Sequence, residues 1–175
     1  MEDLQTLIRQ CAANNRRSQE KLYLKFYPAL FALCRKFFSD EHEALDALND
    51  GMLKVYKNIG SYKDEGNFFN WVYTVVRNTA LDKLKIKKRP LMGELKDDVQ
   101  TVYESNPLQG LEWKEIYKLL DALQPATRAV CSLFYLEGFS VKDISKRLDI
   151  SDGTVKWHLS EARKKLKPVL KNYYS

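Results

Sequence analysis

Residues 151–166, SDGTVKWHLSEARKKL, carry the side chains best suited to act on another molecule. Val155, Leu159, Ala162 and Leu166 recur at spacings of 4, 3 and 4, which lines one face of a helix toward a core. At about 100° per residue the opposite face carries Trp157, Ser160, Glu161 and Lys164. Lys156 and Arg163 sit on one flank, and Thr154 stands in the first turn beside Gly153. These groups recognise rather than react. Lysine and arginine suit phosphate oxygens through salt-sensitive contacts. Glu161 can accept a hydrogen bond from a cytosine amine, and Trp157 can press on a thymine methyl or a sugar. His158 lies beside the core face and is read as a packing residue.

Catalytic and metal chemistry find little material. The only histidines are His42 and His158, and Cys11, Cys34 and Cys131 are far apart with no CxxC. We therefore expect three small core cysteines, no metal, no cofactor and no catalytic residue.

The reading helix needs a frame. Ser140 followed by Asp143 is an N-cap signature for a helix that turns Val141, Ile144 and Leu148 inward. The break falls at "DIS", and Ser151 can cap the next helix. A short helix, a tight turn and a helix with a polar face make a helix-turn-helix, whose second helix fits the major groove. Upstream, Ile116, Leu119, Leu120 and Leu123 share a face. Pro125 suits the first turn of another helix, which Gly138 can close.

The N-terminal half is helical as well. Apolar stripes run through Leu4, Leu7, Ile8 and Cys11, then Leu22, Phe26, Leu30, Leu33 and Phe37, then Ala44, Leu48, Met52, Val55 and Ile59. A fourth begins at Phe68, Val72, Val75 and Thr79. Between the last two lies GSYKDEGNFFNW, a polar loop with Tyr62, Lys63, Asn67 and Trp71. Aromatics and a cation in a loop can hold an extruded base, as reading of a melted strand requires. After Arg89 the helical period is lost over some twenty residues, longer than an ordinary internal loop.

Charge follows the same division. The chain has 175 residues and a net charge of +6. Residues 1–89 hold 16 basic and 11 acidic groups, residues 90–112 hold 1 and 5, and residues 113–175 hold 12 and 7. Two basic blocks flanking an acidic connector suit two separate contacts with a polyanion. Hydrophobic residues make up 45%, yet no apolar run reaches the length of a membrane span, and MEDLQTLIRQ carries acids where a signal peptide needs cations. The expectation is a cytoplasmic protein without stable membrane insertion. Its fold class is all-α, with domains over 1–89 and 113–175 joined by a flexible acidic linker over 90–112.

The segment LQPATRAVCSLFYLEGFSVKDISKRLDISDGTVKWHLSEARKKLK resembles region four of bacterial sigma factors. DALNDGMLKVYKNIGSYKDEGNFFNWVYTVVRNTALDKLKIKKR resembles region two of the same family, with an acidic helix, a polar loop and then "F..W.Y..VRN.A.D.L". The two in this order, with no other sigma region, are similar to the extracytoplasmic-function subfamily of the sigma-70 family.

The resemblance implies a non-enzymatic factor that binds core RNA polymerase, directs it to promoters and helps open the DNA. It implies polymerase binding by Asp46, Asn49, Asp50 and Met52. It implies −10 recognition by Tyr62, Lys63, Asn67 and Trp71, with Arg77, Asn78, Lys83, Lys87 and Lys88 on nearby DNA. It implies −35 recognition by Thr154, Lys156, Trp157, Ser160, Glu161, Arg163 and Lys164, and an anti-sigma factor as a further partner.

The chain departs from the family in places. Asn49, Asp50 and Met52 stand where a Gln-Glu or Gln-Asp pair and an aromatic are usual. Thr74 and Val75 replace the tryptophan pair of housekeeping factors, which implies stringent promoters. Trp157 replaces a small residue, and Glu161 often a base. Two other readings are weighed: a helix-turn-helix repressor or activator that needs no polymerase, and a helical adaptor that binds protein through its basic faces.

Overall fold

A computed structural model describes residues 3–63, 67–87 and 106–171, without the side chains of residues 86 and 87. Among the described residues there is no strand. The chain divides into two compact units, Met1–Lys83 and Leu84–Ser175. Most of the expected linker lies outside the described residues.

The first unit is built from α1 (Leu4–Ala12), α2 (Arg16–Phe37), α3 (Glu41–Asn58) and most of α4 (Phe68–Lys87), with a 3-10 turn over Ile59–Ser61. The starts of α2 and α3 are set by short polar side chains. Asn15 Oδ1 accepts from the Ser18 amide at 3.1 Å, and Asp40 Oδ1 accepts from the Glu43 amide at 2.9 Å. Leu22, Phe26, Leu30, Leu33 and Phe37 of α2 are all buried, as are Ala44, Leu48, Met52 and Val55 of α3. Pro28 lies inside α2 on an exposed position.

Helices α3 and α4 approach closely at Gly51. A Cβ there would stand 2.9 Å from Val76 Cα, so only glycine allows the contact. This contact also corrects the fourth stripe. Val76, fully buried, takes the place expected of Val75, which is half-exposed; the stripe runs Phe68, Val72, Val76 and Thr79. A spacing of four follows the 3.6-residue turn as well as a spacing of three, and the position of Gly51 decides between them.

The second unit contains α5 (Trp113–Asp121), α6 (Pro125–Cys131), α7 (Val141–Leu148) and α8 (Asp152–Lys171). Its core joins Leu108, Ile116, Leu119, Leu120, Leu123, Cys131, Ala162, Leu166 and Leu170. Pro125 opens α6 as its first residue. The helical path then widens to a π-turn over Ser132–Leu136 before Gly138, at φ +73°, lets the chain leave. The buried Arg128 guanidinium reaches back to Asp121 Oδ1 at 2.5 Å, which ties α6 to α5. A buried cation needs such a partner.

Helices α7 and α8 form the helix-turn-helix. Ser140 Oγ accepts from the Asp143 amide at 3.2 Å, and Ser151 Oγ accepts from the Thr154 amide at 3.0 Å. Between them Asp149 takes the left-handed conformation, φ 54°, and Ser145 Oγ donates to the Ile150 carbonyl at 2.7 Å. Ile144, Leu148, Val155, Leu159, Ala162 and Leu166 are buried on the inner faces of the two helices, whereas Val141, expected inward with Ile144 and Leu148, stays half-exposed in the first turn of α7.

Candidate nucleic-acid and protein interfaces

In the first unit the loop aromatics gather at the start of α4. The Tyr62 ring meets the buried Phe68 edge to face, with centroids 5.0 Å apart, and lies 5.5 Å from Trp71. Tyr62 and Trp71 remain half-exposed, and Lys63 is exposed. Residues 64–66 of the loop lie outside the described residues. Asn67 is exposed, and its Oδ1 accepts from the amides of Phe69 and Asn70, at 2.9 and 3.4 Å. Its carbonyl oxygen caps α4, because the first amides of a helix have no partner within it.

Farther along α4, Asn78 is exposed and Arg77 is half-buried. Trp71 and Asn78 fall within about 20° of each other around the helix, while Arg77 is about 100° away. Arg77 instead lies over the Tyr73 ring, with its guanidinium carbon 5.9 Å from the centroid. Lys36 of α2, only 8% exposed, donates to the Tyr73 hydroxyl at 3.3 Å. The cation pair around Tyr73 escaped the sequence reading. The four-residue step from Tyr73 to Arg77 was visible, whereas Lys36 comes from a helix 37 residues away. Lys83 forms an ion pair with Asp50, Nζ to Oδ2 at 2.5 Å. The Lys87 side chain and Lys88 lie outside the described residues.

On α3, Asp46, Asn49 and Asp50 are exposed. Asn49 Oδ1 accepts from the Tyr23 hydroxyl at 2.9 Å. Met52 must be corrected. It is 2% exposed and belongs to the core, four residues after Leu48 on the same inward stripe, so it supports α3 from below and cannot touch a partner. The exposed apolar side chain there is Leu53, at 56%. A polar-looking helix hid it, since one exposed leucine breaks no period.

On α8, Lys164 is 80% exposed and its Nζ lies 3.9 Å from Glu161 Oε1. Trp157, Ser160, Lys156 and Arg163 are partly exposed. Thr154 Oγ1 is 2.9 Å from Ser151 Oγ, so part of its hydrogen-bonding capacity is used in the cap. His158 is buried at 3% and packs, as the spacing implied. The Asp143 carboxyl is held below its ordinary range, first by the Ser140 hydroxyl and then by the Ser140 backbone bond, Lys146 and Arg147. Burial pushes the Cys34 and Cys131 thiols up to about 12, away from the reactive thiolate. Among the described residues no group of histidine, cysteine or carboxylate side chains is arranged to hold a metal ion, and no helix is long and apolar enough to cross a membrane.

Comparison with known proteins accords with both halves. The family described as "Sigma-70 region 2" matches residues 22–89, and "Sigma-70, region 4" matches residues 113–166. The chain is 25% identical to the RNA polymerase sigma-H factor of Pseudomonas aeruginosa, with 95% of each chain covered. It is 25% identical to the ECF RNA polymerase sigma factor SigM of Mycobacterium tuberculosis, over 90% of this chain and 80% of that one. Among solved structures, it is similar to the sigma factor RpoE of Bartonella quintana in complex with the anti-sigma factor NepR. The TM-score is 0.51 and the identity 25%, with 87% of this chain and 96% of that one covered.

Proposed function

This chain belongs to the sigma-70 family, and on that premise we propose that it binds core RNA polymerase, directs it to specific promoters and promotes initiation. One observation carries the reading: region two and region four lie in order on one chain, and the second ends in a capped helix-turn-helix. The factor contributes recognition, and no bond-making step is assigned to it. It works in the cytoplasm, where the polymerase is, and a protein anti-sigma factor, as seen with RpoE, is the regulator we assign to it.

The domain assignment is residues 1–89 for core binding and the −10 element and 113–175 for the −35 element, with the acidic linker expected over 90–112 between them; its end from Asn106 packs with the second unit, Leu108 in the core and Asn106 bonded to the Tyr135 carbonyl. The exposed Asp46, Asn49 and Asp50 are assigned to polymerase. Tyr62, Lys63, Asn67, Trp71, Arg77, Asn78, Lys83, Lys87 and Lys88 are assigned to the −10 region, with Asn67 also capping α4. Helix α8 is assigned to the −35 duplex through Thr154, Lys156, Trp157, Ser160, Glu161, Arg163 and Lys164.

The test is transcription from a promoter library with purified core polymerase. Initiation that depends on this chain and selects paired −35 and −10 sequences is the expected result. Tight operator binding by the free chain, with no initiation, would favour a repressor. No sequence preference in either assay would favour an adaptor.

A further inference from the structure

The reading helix carries a buried histidine that is bonded to another helix. Thr127 of α6 and His158 of α8 are both buried, and Thr127 Oγ1 lies 2.9 Å from His158 Nδ1. The His158 ring in turn meets Trp157 in a T-shaped contact, with centroids 4.8 Å apart and planes at 72°. Trp157 stands opposite the buried Val155, Leu159, Ala162 and Leu166 and is half-exposed.

A buried hydroxyl and a buried imidazole nitrogen each need a hydrogen-bond partner, and this contact supplies one to both. An apolar pair of similar size would fill the same space without that condition. What the polar pair adds to packing is direction, because a hydrogen bond to Nδ1 anchors one edge of the imidazole on α6. Aromatic pairs favour edge-to-face or offset-stacked geometry over a face-to-face sandwich, so an imidazole held edge to face restrains the neighbouring indole. An indole held in place on a groove-facing side loses less freedom on binding than a mobile one. It presents a flat apolar surface, and in the major groove the matching apolar feature is the 5-methyl group of thymine.

We propose that Thr127 and His158 are positioning residues for Trp157, and that Trp157 selects a thymine methyl at one position of the −35 duplex. The inference rests on the assignment of α8 to the −35 element.

Deoxyuridine is the probe, since it keeps the pairing and hydrogen-bonding edge of thymidine and lacks only the methyl. Each −35 thymine is replaced in turn, and open-complex formation by reconstituted holoenzyme is measured. For the unaltered chain, one substitution lowers the signal about tenfold. Trp157→Ala and Thr127→Val lose that sensitivity, Thr127→Ser keeps it, and Lys164→Ala weakens methylated and unmethylated sites alike. Thr127→Val is checked by its melting temperature. If it does not fold, His158→Asn decides: it keeps a polar group near the Nδ1 position but removes the ring beside Trp157, and it too loses the sensitivity.

Two results overturn the proposal while the assignment of α8 stands. One is a −35 element whose scrambling abolishes initiation although no single deoxyuridine matters. The other is a folded Thr127→Val, or His158→Asn in its place, with the methyl sensitivity of the unaltered chain. A −35 element that can be scrambled without effect overturns the assignment of α8 and this proposal together.

Discussion

Asp50 on α3 and Lys83 on α4 form an ion pair, with Nζ 2.5 Å from Oδ2, and the same two helices are bridged again by Lys54 and Asp82 at 3.9 Å. The acid assigned to polymerase and a cation assigned to DNA thus occupy each other. Both side chains of the first pair keep solvent exposure, at 50% and 29%, so the pair is modest in energy, about 0.5 kcal/mol.

Lys83→Met should leave Asp50 open to a polymerase cation. Affinity for core polymerase should rise about twofold, the factor that ~0.5 kcal/mol implies. The gain should vanish in an Asp50→Asn background. Titration of labelled factor with core polymerase measures both, and a loss of affinity in the single variant would show that Lys83 itself touches polymerase.

Charge reversal at Asp46 and Asp50 should weaken core binding far more than Lys164→Ala does. Both acids are exposed on one helix of an otherwise basic half, whereas Lys164 belongs to the other unit. Equal losses in the same titration would remove the polymerase assignment of α3.

On α8, Glu161→Ala should relax preference at one or two −35 positions, by about 1–3 kcal/mol for each lost base contact. Lys164→Ala should weaken all sequences evenly and reduce the slope of log affinity against log salt by about one. A promoter-library profile unchanged by Glu161→Ala would place Glu161 away from the bases.

Gly51→Ala should destabilise the first unit by about 1–3 kcal/mol, as overpacking does. The added Cβ meets Val76 Cα at 2.9 Å, and backbone cannot swing aside as a side-chain end can. Alanine's better helix propensity, about 1 kcal/mol, recovers only part of this. Urea unfolding gives the sign directly, and a stabilised variant would mean that α3 and α4 separate without cost.

The Asp143 carboxyl titrates below its ordinary value because it accepts from the Ser140 hydroxyl at 2.6 Å. A depressed folded pKa means that its contribution is complete above the ordinary carboxylate value. The contribution is lost as pH falls through the lowered one. Ser140→Ala should move the Asp143 titration upward. The carboxyl carbon shift followed by NMR against pH tests this, and an unmoved midpoint would assign the depression to the Ser140 backbone bond, Lys146 and Arg147.

The sequence alone determined what local chemistry controls. Caps at Ser140 and Ser151, Pro125 at a helix start and the Val155–Leu159–Ala162–Leu166 stripe each depend on neighbours within a turn or two. The all-α class and the helix-turn-helix were legible for that reason, and the two regions for their motif order. Tertiary structure decided what depends on helices far apart in the chain. Val76 replaced Val75 because Gly51 opens room for it, while Met52 went to the core on the stripe its spacing had already given, against the role the resemblance implied. Lys36 reached Tyr73, Lys83 reached Asp50 and His158 reached Thr127 across 37, 33 and 31 residues. No periodicity encodes such pairs, since each side chain satisfies its own helix equally well without the other. Only the packing of one helix on the next brings their polar ends within bonding distance.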